Sequence, residues 1–116
     1  NKWEVCTNGG RDKTSLDVFE RAQKAVLLGA GEILVTSIDK DGLRNGFDLD
    51  LMKKFNEIDD TPIIVSGGLG KPSHIDDLLG ISNCEAIASA DFLHMKHGNI
   101  QELKDIILKL KFRVRL

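Results

Sequence analysis

Ile63-Ile64-Val65-Ser66-Gly67-Gly68-Leu69-Gly70-Lys71-Pro72 starts as a strand and ends as the entry to a helix. Three β-branched residues in a row favour an extended, well-covered segment. The glycines then allow a tight turn and a close approach of backbone N–H groups to an anion. Pro72 suits the first turn of a helix. It is not a Walker A loop, because Val65 stands where the first glycine belongs and Pro72 replaces the Ser/Thr.

The same grammar extends in both directions. Upstream, the strand candidates Trp3–Thr7 and Ile33–Ile38 run into Asn8-Gly9-Gly10 and Asp39-Lys40-Asp41-Gly42, and downstream lies Ala86–Ala88. These runs are near-continuously apolar, which predicts strands covered on both faces. Between them lie helices with legible ends. Ser15 or Thr14 is expected to cap a helix carrying Phe19, Ala22 and Val26, with Gly29 as its stop. Asp48 caps a second with Leu51, Phe55 and Ile58, and a third carries Ile75, Leu78 and Leu79. Asn99 and Glu102 form a capping box for the last, over Leu103, Ile106, Ile107 and Leu110.

The order is β-α-β-α-β-α-β-α, with strand centres about 25 to 30 residues apart, the alternation of a parallel α/β sheet. Two architectures accommodate it, a small open doubly wound sheet or half of a (β/α)8 TIM barrel. A whole barrel needs roughly 200 residues or more, and this chain has 116. Half a barrel leaves strand edges and an apolar face uncovered, which predicts self-association or a complementary partner chain. The chain opens almost inside a strand and is read as a piece of something larger. No linker divides residues 1–116, expected to form a single domain.

Composition narrows the function. With 41% apolar residues, 29% charged and a net charge of −2, nothing draws the chain to nucleic acid or an anionic membrane. No apolar run approaches the roughly 18 residues that span a bilayer. The N-terminal residues have no secretion-signal core. Cys6 and Cys84, far apart and without Cys-x-x-Cys spacing, are read as buried, reduced thiols of a cytoplasmic protein. His94 and His97 lack a third ligand, so no metal is expected. His74, on the third helix, is expected to be exposed.

In parallel α/β folds the functional groups gather beyond the C-terminal strand ends. In Thr36-Ser37-Ile38-Asp39-Lys40-Asp41-Gly42, alternation allows only one of the two carboxylates to face the mouth. That one is a candidate general acid or base; the alternative is a solvated turn held by Asx hydrogen bonds. An EF-hand fails, because Arg44 falls where the loop glycine belongs. The string also resembles the nucleophile motif of haloacid-dehalogenase-type phosphatases, but no convincing paired carboxylates follow Ser66. Ser66-Gly67-Gly68 and Ser89 are the candidate phosphate cradle, since barrel phosphate sites favour the loops after the last two strands. Asn8-Gly9-Gly10-Arg11 offers a flexible turn with a cation at the same rim.

Trp3–Arg11, Gly29–Gly42 and Ile64–Lys71 resemble the fifth, sixth and seventh βα units of the cyclase subunit of imidazole glycerol phosphate synthase. The likeness runs over essentially the whole chain, and its middle string is the most specific. It implies the C-terminal half of a (β/α)8 barrel, units five to eight. It also implies a lyase of histidine biosynthesis, needing no cofactor. That enzyme uses ammonia from a glutaminase subunit to cleave a phosphoribulosyl-formimino ribonucleotide. The products are imidazole glycerol phosphate and an aminoimidazole carboxamide ribonucleotide.

Of the family's two essential aspartates, Asp41 matches the one on the sixth strand. The other lies on the first strand, outside this chain, so the half alone is expected to be inactive. By the same match Thr36 and Ser66 line the substrate cleft, and Asp39 supports it. Gly67, Gly68 and Ser89 hold a terminal phosphate. Glu32 belongs to the charged ring at the ammonia entrance. Gly9 stands where some members carry Ser. Asp91-Phe92-Leu93 departs from the family pattern and would set a carboxylate near the phosphate unless it points away. Two alternatives stay open: a non-catalytic phosphate-binding half that assembles with itself or a complementary half, and a cyclase-like paralogue making acetamidino sugars of surface polysaccharides.

Overall fold

The computed structural model describes residues 2–58 and 61–115. In chain order the elements are β1 (Glu4–Thr7), β2 (Asp12–Asp17), α1 (Val18–Leu27), β3 (Ile33–Thr36) and α2 (Leu49–Phe55). Then come β4 (Ile63–Ser66), α3 (Ser73–Leu79), β5 (Ala86–Ala88), α4 (Asp91–His94) and α5 (Ile100–Lys109). The expected α/β class is borne out: β3, β4 and β5 form a parallel sheet in sequential order, with helices between the strands.

The first unit departs from the expected pattern. β1 pairs antiparallel with β2 in a separate hairpin instead of joining the parallel sheet. The polar residues read as a helix cap serve this hairpin. Thr14 donates its hydroxyl to the Val5 carbonyl at 2.6 Å, and the Glu4 carboxylate accepts from the Ser15 amide at 2.6 Å. Ser15 adopts φ +60°, so it cannot take the extended geometry of an N-cap. Asp17 caps α1 instead, accepting from the amides of Phe19 and Glu20 at 2.9 and 3.1 Å. At the other end Gly29, at φ +95°, closes a Schellman turn: its amide reaches Val26 O and that of Ala30 reaches Ala25 O.

The parallel register explains the two faces of the sheet. Ile33, Val35, Ile63, Val65 and Ile87 alternate onto the side covered by helices and belong to the core or pack on it. Leu34, Thr36, Ile64, Ser66, Ala86 and Ala88 occupy the other side, where Leu34 remains 60% exposed. The expectation of strands covered on both faces therefore holds for one face. Right-handed crossovers between strands taken in sequential order put every helix on the same side.

The core is built from Met52, Val65, Ile75, Leu78 and Phe92, all nearly inaccessible, each contributing about 1.5–3 kcal/mol by burial. The hairpin unit is fastened to it through aromatic contacts. Phe19 meets Trp3 edge-on at 5.7 Å and Phe55 at 5.1 Å. The capping box of α5 forms as expected. Both cysteines are free and half-buried. His74, expected on the surface, is buried, because the loops before α2 and α3 close over it.

Candidate functional site at the C-terminal strand ends

Thr36, Ser66 and Ala88 are in register across β3, β4 and β5. The strands therefore end level with one another, and the loops that follow share one rim. Thr36 and Ser66 lie side by side on the open face, Thr36 exposed and Ser66 half-buried. Glu32, exposed, precedes β3. With about 3.3 Å per residue it sits roughly 13 Å from Thr36, at the opposite end of the sheet.

Beyond β3 the chain turns at once. The Ser37 carbonyl accepts from the Lys40 and Asp41 amides at 3.2 and 2.9 Å. Asp39 and Asp41 are both exposed in this turn. Asp41 stands against the glycine loop. A Cβ built on Gly67 would lie 3.4 Å from Asp41 Cβ and 2.8 Å from the Ser37 carbonyl oxygen. The positive φ at Gly67 and Gly68, +92° and +107°, excludes side chains from both positions on conformational grounds as well.

The two loops interlock further along. The Gly46 amide donates to the Gly68 carbonyl at 2.9 Å. A Cβ on Gly68 would fall 2.1 Å from the Gly46 carbonyl oxygen, and one on Gly70 would fall 2.0 Å from that of Arg44. Three glycines are thus required by contact. Ser89, one residue past β5, lines a groove of about 510 Å³ between α3 and α5, together with Leu93 and Leu103.

Asp48 does more than cap α2. One carboxylate oxygen accepts from the Leu51 amide at 3.1 Å. The other accepts from the Trp3 indole at 3.3 Å and the buried Ser37 hydroxyl at 3.2 Å. It therefore joins the hairpin, the β3 loop and α2 below the rim.

The structure brings Thr36, Asp39, Asp41, Ser66, Gly67, Gly68 and Ser89 to one end of the sheet and Glu32 to the other. Sequence reasoning gave Arg44 no role at the site and expected His74 on the surface. Arg44 pairs with Asp91 at 2.5 Å, so the departing carboxylate faces a cation. The pair raises the Arg44 pKa and holds the Asp91 carboxyl below the usual carboxylate range. A basic residue before Asn45-Gly46 was the only available signal.

The family described as "Histidine biosynthesis protein" matches residues 1–99. The chain belongs to that family. Among its relatives, the "Imidazole glycerol phosphate synthase subunit HisF" of Clostridium botulinum (strain Langeland) is 44% identical over 114 residues. That match covers 98% of this chain and 45% of the relative. The protein of the same name from Prochlorococcus marinus is 42% identical over 115 residues, covering 99% and 45%. The chain spans about half the length of the curated relatives it matches. Among the described residues, no helix of this family member is long and apolar enough to cross a membrane.

Proposed function

We propose that this chain is the second half of an ammonia-dependent cyclase of histidine biosynthesis, with Asp41 moving a proton at the reacting centre. The observation that carries the reading is the contact of Asp41 with Gly67. It sets an exposed carboxylate beside the buried glycine loop that follows β4. The phosphate of a ribonucleotide substrate would be held by the amides of Gly67 and Gly68 and by Ser89. Thr36 and Ser66 would line the cleft and Asp39 support it. Such a carboxylate can take a proton from a nitrogen nucleophile or return it to a leaving group, within hydrogen-bond reach.

On this reading residues 1–116 are one domain, units five to eight of a (β/α)8 barrel, acting in the cytoplasm. Glu32 would stand at the end where ammonia enters from a glutaminase subunit. The missing first half would supply the second aspartate and cover Leu34, Ile64 and the free strand edges. The half alone would then be inactive. The exposed face favours a second reading as well, in which two copies of the half cover one another.

The test mixes this chain with the first half of the Clostridium botulinum relative and measures ammonia-dependent formation of imidazole glycerol phosphate. Asp41→Asn should lower turnover about 10²–10⁴-fold with co-assembly unchanged. Near-wild-type turnover by that variant would rule Asp41 out.

A further inference from the structure

His74 is the one buried ionisable side chain beneath the rim among the described residues, and the reading above leaves it without a role. It lies in the first turn of α3 and retains 7% of its accessibility. Its Nδ1 accepts a hydrogen bond from the Gly70 amide at 3.1 Å. Its ring lies under Gly46, where an added Cβ would meet Cδ2 at 3.7 Å and Nε2 at 3.8 Å. Gly46 is the residue whose amide holds the Gly68 carbonyl. One imidazole therefore touches both loops at the point where they interlock.

An acceptor at Nδ1 requires that nitrogen to be unprotonated. Burial, the largest influence, and the Lys71 ammonium lower the His74 pKa, while Asp77 and the Gly68 carbonyl oppose them. Lys40, Asp48 and Asp50, from the β3 loop and the start of α2, line a groove together with Lys71, His74 and Asp77. The neutral ring is thus the resting form at neutral pH.

We propose that His74 is a positioning residue of the anion cradle: its unprotonated Nδ1 fixes the Gly70 amide, and so holds the loop 67–70 in the shape that receives phosphate. This rests on the reading of Gly67 and Gly68 as a cradle. Protonation turns the acceptor into a donor facing the Gly70 N–H, so the loop must loosen. A new positive charge near an anion site would by itself strengthen anion binding. Positioning predicts the opposite sign, which makes the two effects separable.

The experiment measures sulfate affinity of the whole chain through the pH range of histidine titration, where sulfate keeps its charge. His74→Asn is compared because its Oδ1 falls near the place of Nδ1 and accepts at every pH. The wild type should lose affinity several-fold as His74 protonates, while His74→Asn stays flat and His74→Leu binds weakly throughout. Affinity that rises on acidification, or a His74→Asn variant that tracks the wild type, would overturn the proposal. If no variant binds sulfate at any pH, the cradle reading fails, and Gly70 amide-exchange protection still decides the role of His74. Protection lost with His74 protonation in the wild type and kept in His74→Asn supports it; any other pattern overturns it.

Discussion

Arg44 reaches from the loop after β3 to Asp91, the first residue of α4, with Nε 2.5 Å from Oδ2 and Nη2 3.2 Å from Oδ1. The fork-on-carboxylate geometry is the strongest form of side-chain ion pair. Arg44 backbone atoms also press on Gly70, so the residue ties the rim loops of three strands together. Its φ of +57° is uncommon for a long side chain. The contacts on both sides hold it there.

Removing either charge should loosen the rim. Arg44→Gln and Asp91→Asn should each lower the melting temperature at neutral pH, and the double variant should fall no further than the worse single one. The pair is partly exposed, so high salt should shrink the difference from wild type. Because pairing depresses the Asp91 pKa, the contribution is present above the ordinary carboxylate pKa and is lost as pH falls through the lowered value. Additive losses in thermal melts would contradict the coupling.

Glycine positions separate contact from conformation. Gly68→Ala places a Cβ 2.1 Å from the Gly46 carbonyl oxygen at a φ of +107°. It should cost about 1–3 kcal/mol or more in urea unfolding, as strained backbone does. Gly31→Ala meets nothing within 4 Å and should be neutral to slightly stabilising.

Asp48 accepts three hydrogen bonds from three parts of the chain. Asp48→Ala removes a helix cap worth about 1 kcal/mol. It also strands the buried Ser37 hydroxyl, at a further cost of about 1–3 kcal/mol. The Trp3 emission should shift as its indole loses its partner. Loss of stability with no change in tryptophan emission would separate the cap from the hub.

Much of this was legible in the residues and some was not. The strands β3 and β4 were readable because apolar runs met glycine-rich or acidic turns, and β5 because a short apolar run followed at the same spacing. Asp48 and Asn99 announced helix starts by residue type and position. The hairpin was hidden, because Thr14 and Ser15 look like caps and only the Val5 and Glu4 partners turn them into strand residues. His74 was misread for a related reason. Its position on a short helix says nothing about the two loops that close over it. Arg44 pairs with Asp91 across 47 positions, a distance no local pattern reports. At the site, level strand ends put the motif residues together, whereas the interlocking of the two loops came from glycines that local turn rules explain equally well.

The central claim is that the loops after β4 and β5 form one anion-binding rim beside Asp41. The most direct measurement is an amide NMR titration of this chain with inorganic phosphate at neutral pH. The account predicts saturable shifts concentrated at Gly67, Gly68 and Ser89, with Asp41 among the responding neighbours. Shifts that saturate on another surface, or none at these amides, would contradict it.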